Sequence, residues 1–449
     1  MQNATITRLT LLAGALCVSP VALAETSEDE IRAIVSEMMA DASTRSSLLQ
    51  SGGNAGHDGM FYLADEEGNF RLNVAGQVQF RYTANFGEEN NASDGDDYTG
   101  GFQTNRTKLE FTGNAVLPNL VYKVQGNFAS SGGNFSLQDA YVGYAFDSGW
   151  TLLWGQMKAP LQREELVDSK YQLAADRSFA NSLFSPTRTQ GIAVNYRNDD
   201  INFTAGFTDG ANAFNTDFNQ DQQNYAGFPT PASIGGGEAD YSFTARLEWK
   251  LEGDWGQFKD FTSMPGSEFA AMLGFAGHYE GNETLVGFAG TPADVTVGGY
   301  TVDLSLEGDG WNFFAAFMGF STDTEGLVDL DLDGAGDDTD FADFALVVQG
   351  GVFIPDTDWE LFARYDGIFL DDDRAGEDDF NTLTFGLNWY WSGHAAKFTV
   401  DATIFLDESL GANGVPLAAA AGGLNSFKNF VGDDDEGEFA LRAQFQLLF

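Results

Sequence analysis

The feature that most constrains this chain is an apolar/polar alternation that restarts again and again after residue 68. A β-strand projects successive side chains to opposite faces. Each restart therefore describes a strand with one greasy face and one wet face. In "RLNVAGQVQFRYT", Leu72, Val74, Val78, Phe80 and Tyr82 share one face, and Arg71, Asn73, Gln77, Gln79 and Arg81 share the other. In "KFTVDATIFL", Phe398, Val400, Ala402, Ile404 and Leu406 stand opposite Lys397, Thr399, Asp401 and Thr403. Sixteen such segments are read, near 70–85, 102–115, 120–130, 134–147, 150–157, 188–198, 200–208, 239–251, 267–280, 296–307, 311–322, 340–353, 359–369, 379–391, 396–407 and 437–449.

The connections alternate as well. Tight turns sit at "LPN", "DSG", "RNDD", "GDG", "PDTD" and "SGH", with a somewhat longer one at 252–266. Most of the intervening connections are long and rich in Gly, Asn and Asp. An even number of antiparallel strands with short turns on one side and long loops on the other predicts an all-β fold, a 16-stranded antiparallel transmembrane β-barrel. Closure is required because lipid cannot satisfy an open sheet edge. The last stretch, "FALRAQFQLLF", puts Phe439, Leu441, Ala443, Phe445, Leu447 and Phe449 on one face. That face meets lipid where the last strand joins the first, with Phe449 at the membrane interface. Trp150, Trp154, Trp311, Trp359, Trp389, Tyr390 and Trp391 lie near strand ends and suit interfacial aromatic girdles. A water-soluble β-sandwich or β-helix shows the same alternation, but the even count, the loop asymmetry and the aromatic last strand favour the barrel.

Composition narrows the class further. With 67 acidic against 22 basic residues the net charge is −45, which excludes nucleic-acid binding through the net field. Residues 1–24 have a basic start at Arg8, an apolar run from Leu9 and an Ala22-Leu23-Ala24 ending, the pattern of a cleaved secretory signal peptide. The single cysteine, Cys17, lies inside it, so the mature chain is expected to have no disulfide framework or thiol metal site. Residues 25–58 form a separate segment. Within it, Ile31, Ile34, Val35, Met38 and Leu48 or Leu49 give a rough helical stripe, and Ser27 with Glu30 resembles a capping box. Two readings stand for this short N-terminal periplasmic helix: a coiled coil or a linker. Residues 59–449 make up the barrel.

Three stretches carry a family resemblance. They are "GMFYLADEEGNFRLNVAGQVQFRY", "LQDAYVGYAF" and "WGQMKAPLQREELVDSKYQLAADRSFANSLFSPTRTQGIAVNY". The chain resembles the phosphate-selective porin O and P family over residues 60–208, with Gly155 to Tyr196 the most specific part. The resemblance implies a homotrimeric porin of the outer membrane of a Gram-negative cell, whose third long loop folds into the pore. It also implies passage of small ionic solutes, anions such as phosphate among them. The partners that follow are outer-membrane lipid and lipopolysaccharide around the barrel, and the barrel-assembly machinery at the last strand. No nucleic acid and no resident cofactor are expected.

The third long loop, residues 158–187, keeps its bases while its siblings discard them. It holds Lys158, Arg163, Lys170 and Arg177, with Arg188 just beyond, against Glu164, Glu165, Asp168 and Asp176. On the first three strands Arg71, Arg81, Arg106, Lys108 and Lys123 fall on the polar face, with Glu110 the one acid. That face must be the lumen, since a cation against lipid at mid-membrane costs about 2–4 kcal/mol. These ten basic residues are the expected pore lining and constriction. Further round, Arg197, Arg246, Lys250, Arg364, Lys397 and Arg442 point inward among Glu248, Asp303, Asp343, Glu360, Asp366 and Asp401. Ordered cations in a narrow pore attract anions. The competing reading is that inward arginines pair with inward acids and hold the wall together.

The acidic loops support a second function class, a general or cation-leaning pore, and a third, a surface adhesin or envelope tether. One acidic loop places Asp329, Asp331, Asp333, Gly334, Asp337 and Asp340 at the spacing of a Ca2+ loop; the alternative is a solvated acidic loop. Nothing points to an enzyme. The histidines His57, His278 and His394 are scattered, and a barrel lipase needs a Ser–His pair on its outer wall.

Overall fold

The computed structural model of the chain describes residues 54–86, 98–213, 215, 238–286, 292–325, 340–371, 379–407 and 438–449. The expected signal peptide and N-terminal helix lie outside these residues. So does the candidate Ca2+ loop, apart from Asp340.

The strands are β1 (Asn54–His57), β2 (Phe61–Ala64), β3 (Arg71–Phe86), β4 (Tyr98–Asn114), β5 (Leu120–Phe128), β6 (Phe135–Ala145), β7 (Trp150–Lys158), β8 (Arg188–Arg197) and β9 (Ile201–Thr208). They continue with β10 (Glu238–Glu252), β11 (Ala270–Val286), β12 (Pro292–Gly308), β13 (Trp311–Glu325), β14 (Asp340–Phe353), β15 (Trp359–Phe369), β16 (Phe380–Ser392), β17 (Ala396–Phe405) and β18 (Phe439–Leu448). From β3 to β18 each strand is hydrogen-bonded to the next, and β18 returns to β3, so the sheet closes as a 16-stranded antiparallel barrel. All sixteen expected segments are strands. Several run further than the alternation does, β11 to Val286 and β12 back to Pro292.

The alternation is kept in the burial. On β17, Lys397, Thr399, Asp401 and Thr403 are all buried inside the barrel, while Val400 and Ile404 are exposed on its outside. Exposed Trp154, Trp249, Trp311 and Trp391 stand on the outer wall. At the seam, Gly76 and Phe449 exchange backbone hydrogen bonds, Gly76 N–H to Phe449 O at 2.6 Å and Phe449 N–H to Gly76 O at 3.1 Å. The tip of the Phe449 ring lies against Gly76, in the space that any Cβ there would occupy.

β1 and β2 add a small hairpin that the alternation does not announce. β2 pairs with residues 71–74 of β3, below the point where β18 ends at Gln77. The sheet thus begins at Asn54 rather than at the expected boundary near residue 59.

Candidate functional site

The connection between β7 and β8, residues 159–187, does not leave the barrel. It contains helices α1 (Arg163–Leu166) and α2 (Phe179–Phe184) and a 3-10 turn at Ser169–Tyr171. Ser178 caps α2 by accepting from Asn181 N–H at 2.9 Å. Leu161, Val167, Leu173, Ala174, Phe179, Ala180, Leu183 and Phe184 of this loop are buried in one apolar cluster. The partners are inward residues of the far wall, among them Phe314, Ala316, Met318 and Phe320 of β13 and Ala345 and Val347 of β14. Each fully buried large side chain contributes about 1.5–3 kcal/mol. That drive keeps the loop inside, against the β12–β18 arc, and leaves water the opposite arc.

Ionic pins fix its position. The Asp176 carboxylate receives Arg81 Nη1 and Arg106 Nη2, each at 2.6 Å, and Arg442 Nη1 at 3.3 Å. Burial alone would raise this acid, but the three guanidiniums hold it well below the usual carboxylate range. Arg442 also grips Asp401 at 2.6 and 2.9 Å, and Asp401 accepts Ala175 N–H at 3.0 Å. Asp366 accepts the first two N–H groups of α2, from Phe179 and Ala180. Arg246 is clamped by Asp303 at 2.7 and 3.0 Å and donates to Leu161 O at 3.0 Å. Arg364 donates to Asp176 O at 2.9 Å, and Lys397 to Gln172 O at 2.8 Å. Charge pairing as a structural device therefore governs this arc.

The ten basic residues expected at the constriction divide into three groups. Arg106, Lys108, Lys158, Arg177 and Arg188 converge on a slot of 280 Å³ between the loop and β4–β8. Its other lining is Gln103, Asn105, Asn127, Ser130, Gln138 and Ser169, with one acid, Asp168. Arg188 pairs with Asp139 at 2.6 Å, Lys158 with Asp168 at 3.0 Å, and Arg177 with Glu165 at 3.4 Å. Lys108 Nζ is 3.2 Å from Ser169 Oγ and has no carboxylate within 4.0 Å among the described residues. Burial would raise Asp168, but Lys158, Lys123 and Lys170 hold it well below the usual carboxylate range. Lys123 and Lys170 flank the slot and share Glu110, at 3.1 and 3.7 Å; Lys123 also meets Asp139 at 3.2 Å.

The remaining three lie elsewhere. Arg71 stays on the periplasmic hairpin, its guanidinium 4.4 Å from the Tyr62 ring centre and its Nε donating to Asn73 at 2.7 Å. Arg81 is 0% exposed, sealed beneath the loop. Arg163 reaches the far wall, donating to Ser305 Oγ at 2.7 Å and lying 5.2 Å from the Phe261 ring centre. Alternation alone could not separate these from the slot residues, because it reports a face and not a neighbour.

The alternation also hid a second inward segment. The turn between β10 and β11, residues 253–269, folds up into the barrel with Phe258, Asp260, Phe261, Thr262 and Ser263 buried. Phe261 N–H donates to Tyr171 O at 3.3 Å, so the turn touches the loop. Thr262 bonds Tyr390 Oη at 2.9 Å, and Trp255 Nε1–H donates to Asn198 O at 2.9 Å. It thus straps the periplasmic mouth from β8–β9 to β16. The available signal was three aromatics, Trp255, Phe258 and Phe261, in a stretch read only as a somewhat longer turn. Between strap and loop lies a chamber of 620 Å³, which shares Lys158 and Asp168 with the lining of the slot.

Comparison with known proteins agrees with this architecture. Residues 77–264 match the family model described as phosphate-selective porin O and P. Among solved structures, the chain is similar to an anion-selective porin from Comamonas acidovorans, at 12% identity and TM-score 0.54, covering 84% of this chain and 99% of that one. It is similar to the outer-membrane channel DcaP of Acinetobacter baumannii, at 14% identity and TM-score 0.51, covering 84% and 97%. It is also similar to OmpF of Salmonella typhi, solved with daunomycin, at 12% identity and TM-score 0.51, covering 85% and 99%. No curated protein matches the chain. The closed barrel, the loop seated in its lumen and the match over residues 77–264 identify an outer-membrane channel for small solutes that resembles the phosphate-selective porin O and P family over that segment.

Proposed function

We propose that this channel passes small anions, inorganic phosphate among them, in preference to cations. The observation that carries the reading is the slot: five cationic side chains converge there around one acid, and Lys108 has no carboxylate partner within 4.0 Å among the described residues. Arg106, Arg177 and Arg188 offer forked donors suited to carboxylate or phosphate oxygens. Their engagement with Asp176, Glu165 and Asp139 keeps each contact weak enough for a solute to leave. No catalysis is assigned; the protein works by passive diffusion. It is exported with a signal peptide cleaved after Ala24 and assembles as a homotrimer.

The test is the reversal potential across a planar bilayer under a KCl gradient. Chloride is expected to be the more permeant ion, and Lys108→Gln with Arg188→Gln to move the reversal potential toward potassium. The overall charge of −45 favours the second reading, a cation-leaning pore with an acidic mouth. A wild-type reversal potential on the potassium side would establish that reading and remove this one.

A further inference from the structure

The slot and the chamber beneath it differ in chemistry. Every side chain lining the slot is polar. The chamber is more than twice as large, 620 against 280 Å³, and joins aromatic to charged groups, its acids Asp139, Asp168 and Glu248 each already paired, with Arg188, Lys158 and Arg246. Trp255 and Phe258 come from the strap and Tyr141 from β6, while Arg197 and Lys259 bring charge from the periplasmic side. Neither Arg197 nor Lys259 has a carboxylate within 4.0 Å among the described residues. Arg197 instead lies 4.7 Å from the Trp255 ring centre, and Lys259 lies 6.0 Å from that of Tyr171. The hydrogen bond of Trp255 to Asn198 holds the indole in place, and Phe258 packs edge-on against it at 6.4 Å.

We infer that this chamber is a binding site for organic anions that carry a flat ring, aromatic carboxylates above all. Such a molecule meets both halves of the lining. Its carboxylate joins Arg197 and Lys259 through charge-assisted hydrogen bonds, and its ring packs against Trp255 and Phe258. Volumes of about 300–1,000 Å³ hold ligands of this size. An inorganic anion satisfies the cations but leaves the aromatic wall wetted. A neutral ring does the reverse. The chamber therefore selects a class of solute that the slot above it does not distinguish. The inference rests on the anion-passage reading for delivery of such solutes from outside.

The experiment measures block of KCl current through the purified full-length channel in planar bilayers, with 2-naphthoate, acetate or 2-naphthalenemethanol added on the periplasmic side. 2-Naphthoate is expected to half-block at a concentration at least about tenfold below acetate, and the alcohol to leave the current unchanged. Trp255→Ala and Lys259→Gln are each expected to raise the half-blocking concentration roughly fivefold, in keeping with the size of single ring and cation contacts. Lys259 is exposed, so K259Q reports on the site even where W255A assembles poorly. Equal block by acetate and 2-naphthoate, or block by 2-naphthoate unchanged in K259Q, overturns the inference. A wild-type reversal potential on the chloride side with no naphthoate block overturns this inference alone. One on the potassium side overturns the anion reading and delivery to the chamber with it.

Discussion

Asp176→Asn offers the sharpest test of how the loop is held. The wild-type carboxylate contacts three arginines at 2.6, 2.6 and 3.3 Å, and Arg81 and Arg442 are at most 1% exposed. Removing one partner of a buried charge pair costs about 3–5 kcal/mol. Arg442 keeps Asp401, while Arg81 and Arg106 both lose their single carboxylate; Arg81 keeps Gln444 Oε1 at 2.7 Å, and the partly exposed Arg106 keeps Gln79 Oε1 at 2.8 Å. The loss should therefore fall near the lower end, ~3 kcal/mol, or roughly a hundredfold in the folded-to-unfolded ratio. Denaturant unfolding in lipid vesicles reads this directly. The same acid makes a pH prediction. Its folded pKa is depressed, so its contribution is present above the unfolded value of about 3.9 and is lost as pH falls through the folded one. Wild-type stability should drop below pH 4, and the D176N curve should be flatter there. Current noise should also rise, since the loop keeps its pins at Leu161, Gln172, Ala175, the Asp176 carbonyl and α2 but loses those to Arg81 and Arg106. An unchanged unfolding midpoint together with parallel pH curves refutes the pinning by Asp176.

Further outcomes are expected elsewhere. Phe184→Ala, at a ring that is 0% exposed inside the loop's apolar cluster, should destabilise by about 3–5 kcal/mol and raise open-channel conductance; unchanged values for both mean that the loop does not depend on this core. Gly76→Val should displace the Phe449 ring from its seat and lower the temperature at which the folded barrel converts to unfolded chain on unheated gels. Glu360→Gln touches Asn312, Asn388 and Tyr390 at 2.6–3.0 Å, away from the slot, and should leave the reversal potential where it was. A shift there shows that the charge of the filled arc reaches the permeating ion.

The barrel was legible because a strand's period reports its two faces, and every one of the sixteen segments carried that report. The β1–β2 hairpin was not, since four-residue strands hold too few alternations to register. The loop's inward fold entered through resemblance, although the residues held their own signal for it. "WNFFAAFMGF" on β13 is apolar on both faces: Phe313 and Phe317 look outward, and Phe314, Ala316, Met318 and Phe320 inward. A strand greasy on both sides of a pore demands something dry to face. The division among the basic residues was beyond reach. Arg81 and Arg106 show the same register and bind the same Asp176, yet one is sealed and the other borders water. That difference is set by which loop residue lands on each, a fact of tertiary structure.

The filled arc has an electrical consequence. Where lipid lies on one side of a wall and packed side chains on the other, ions have no path, so a membrane voltage acts along the wet arc alone. Current crosses this barrel off its axis, past β4 to β8, and the channel should conduct like a much narrower cylinder than sixteen strands enclose.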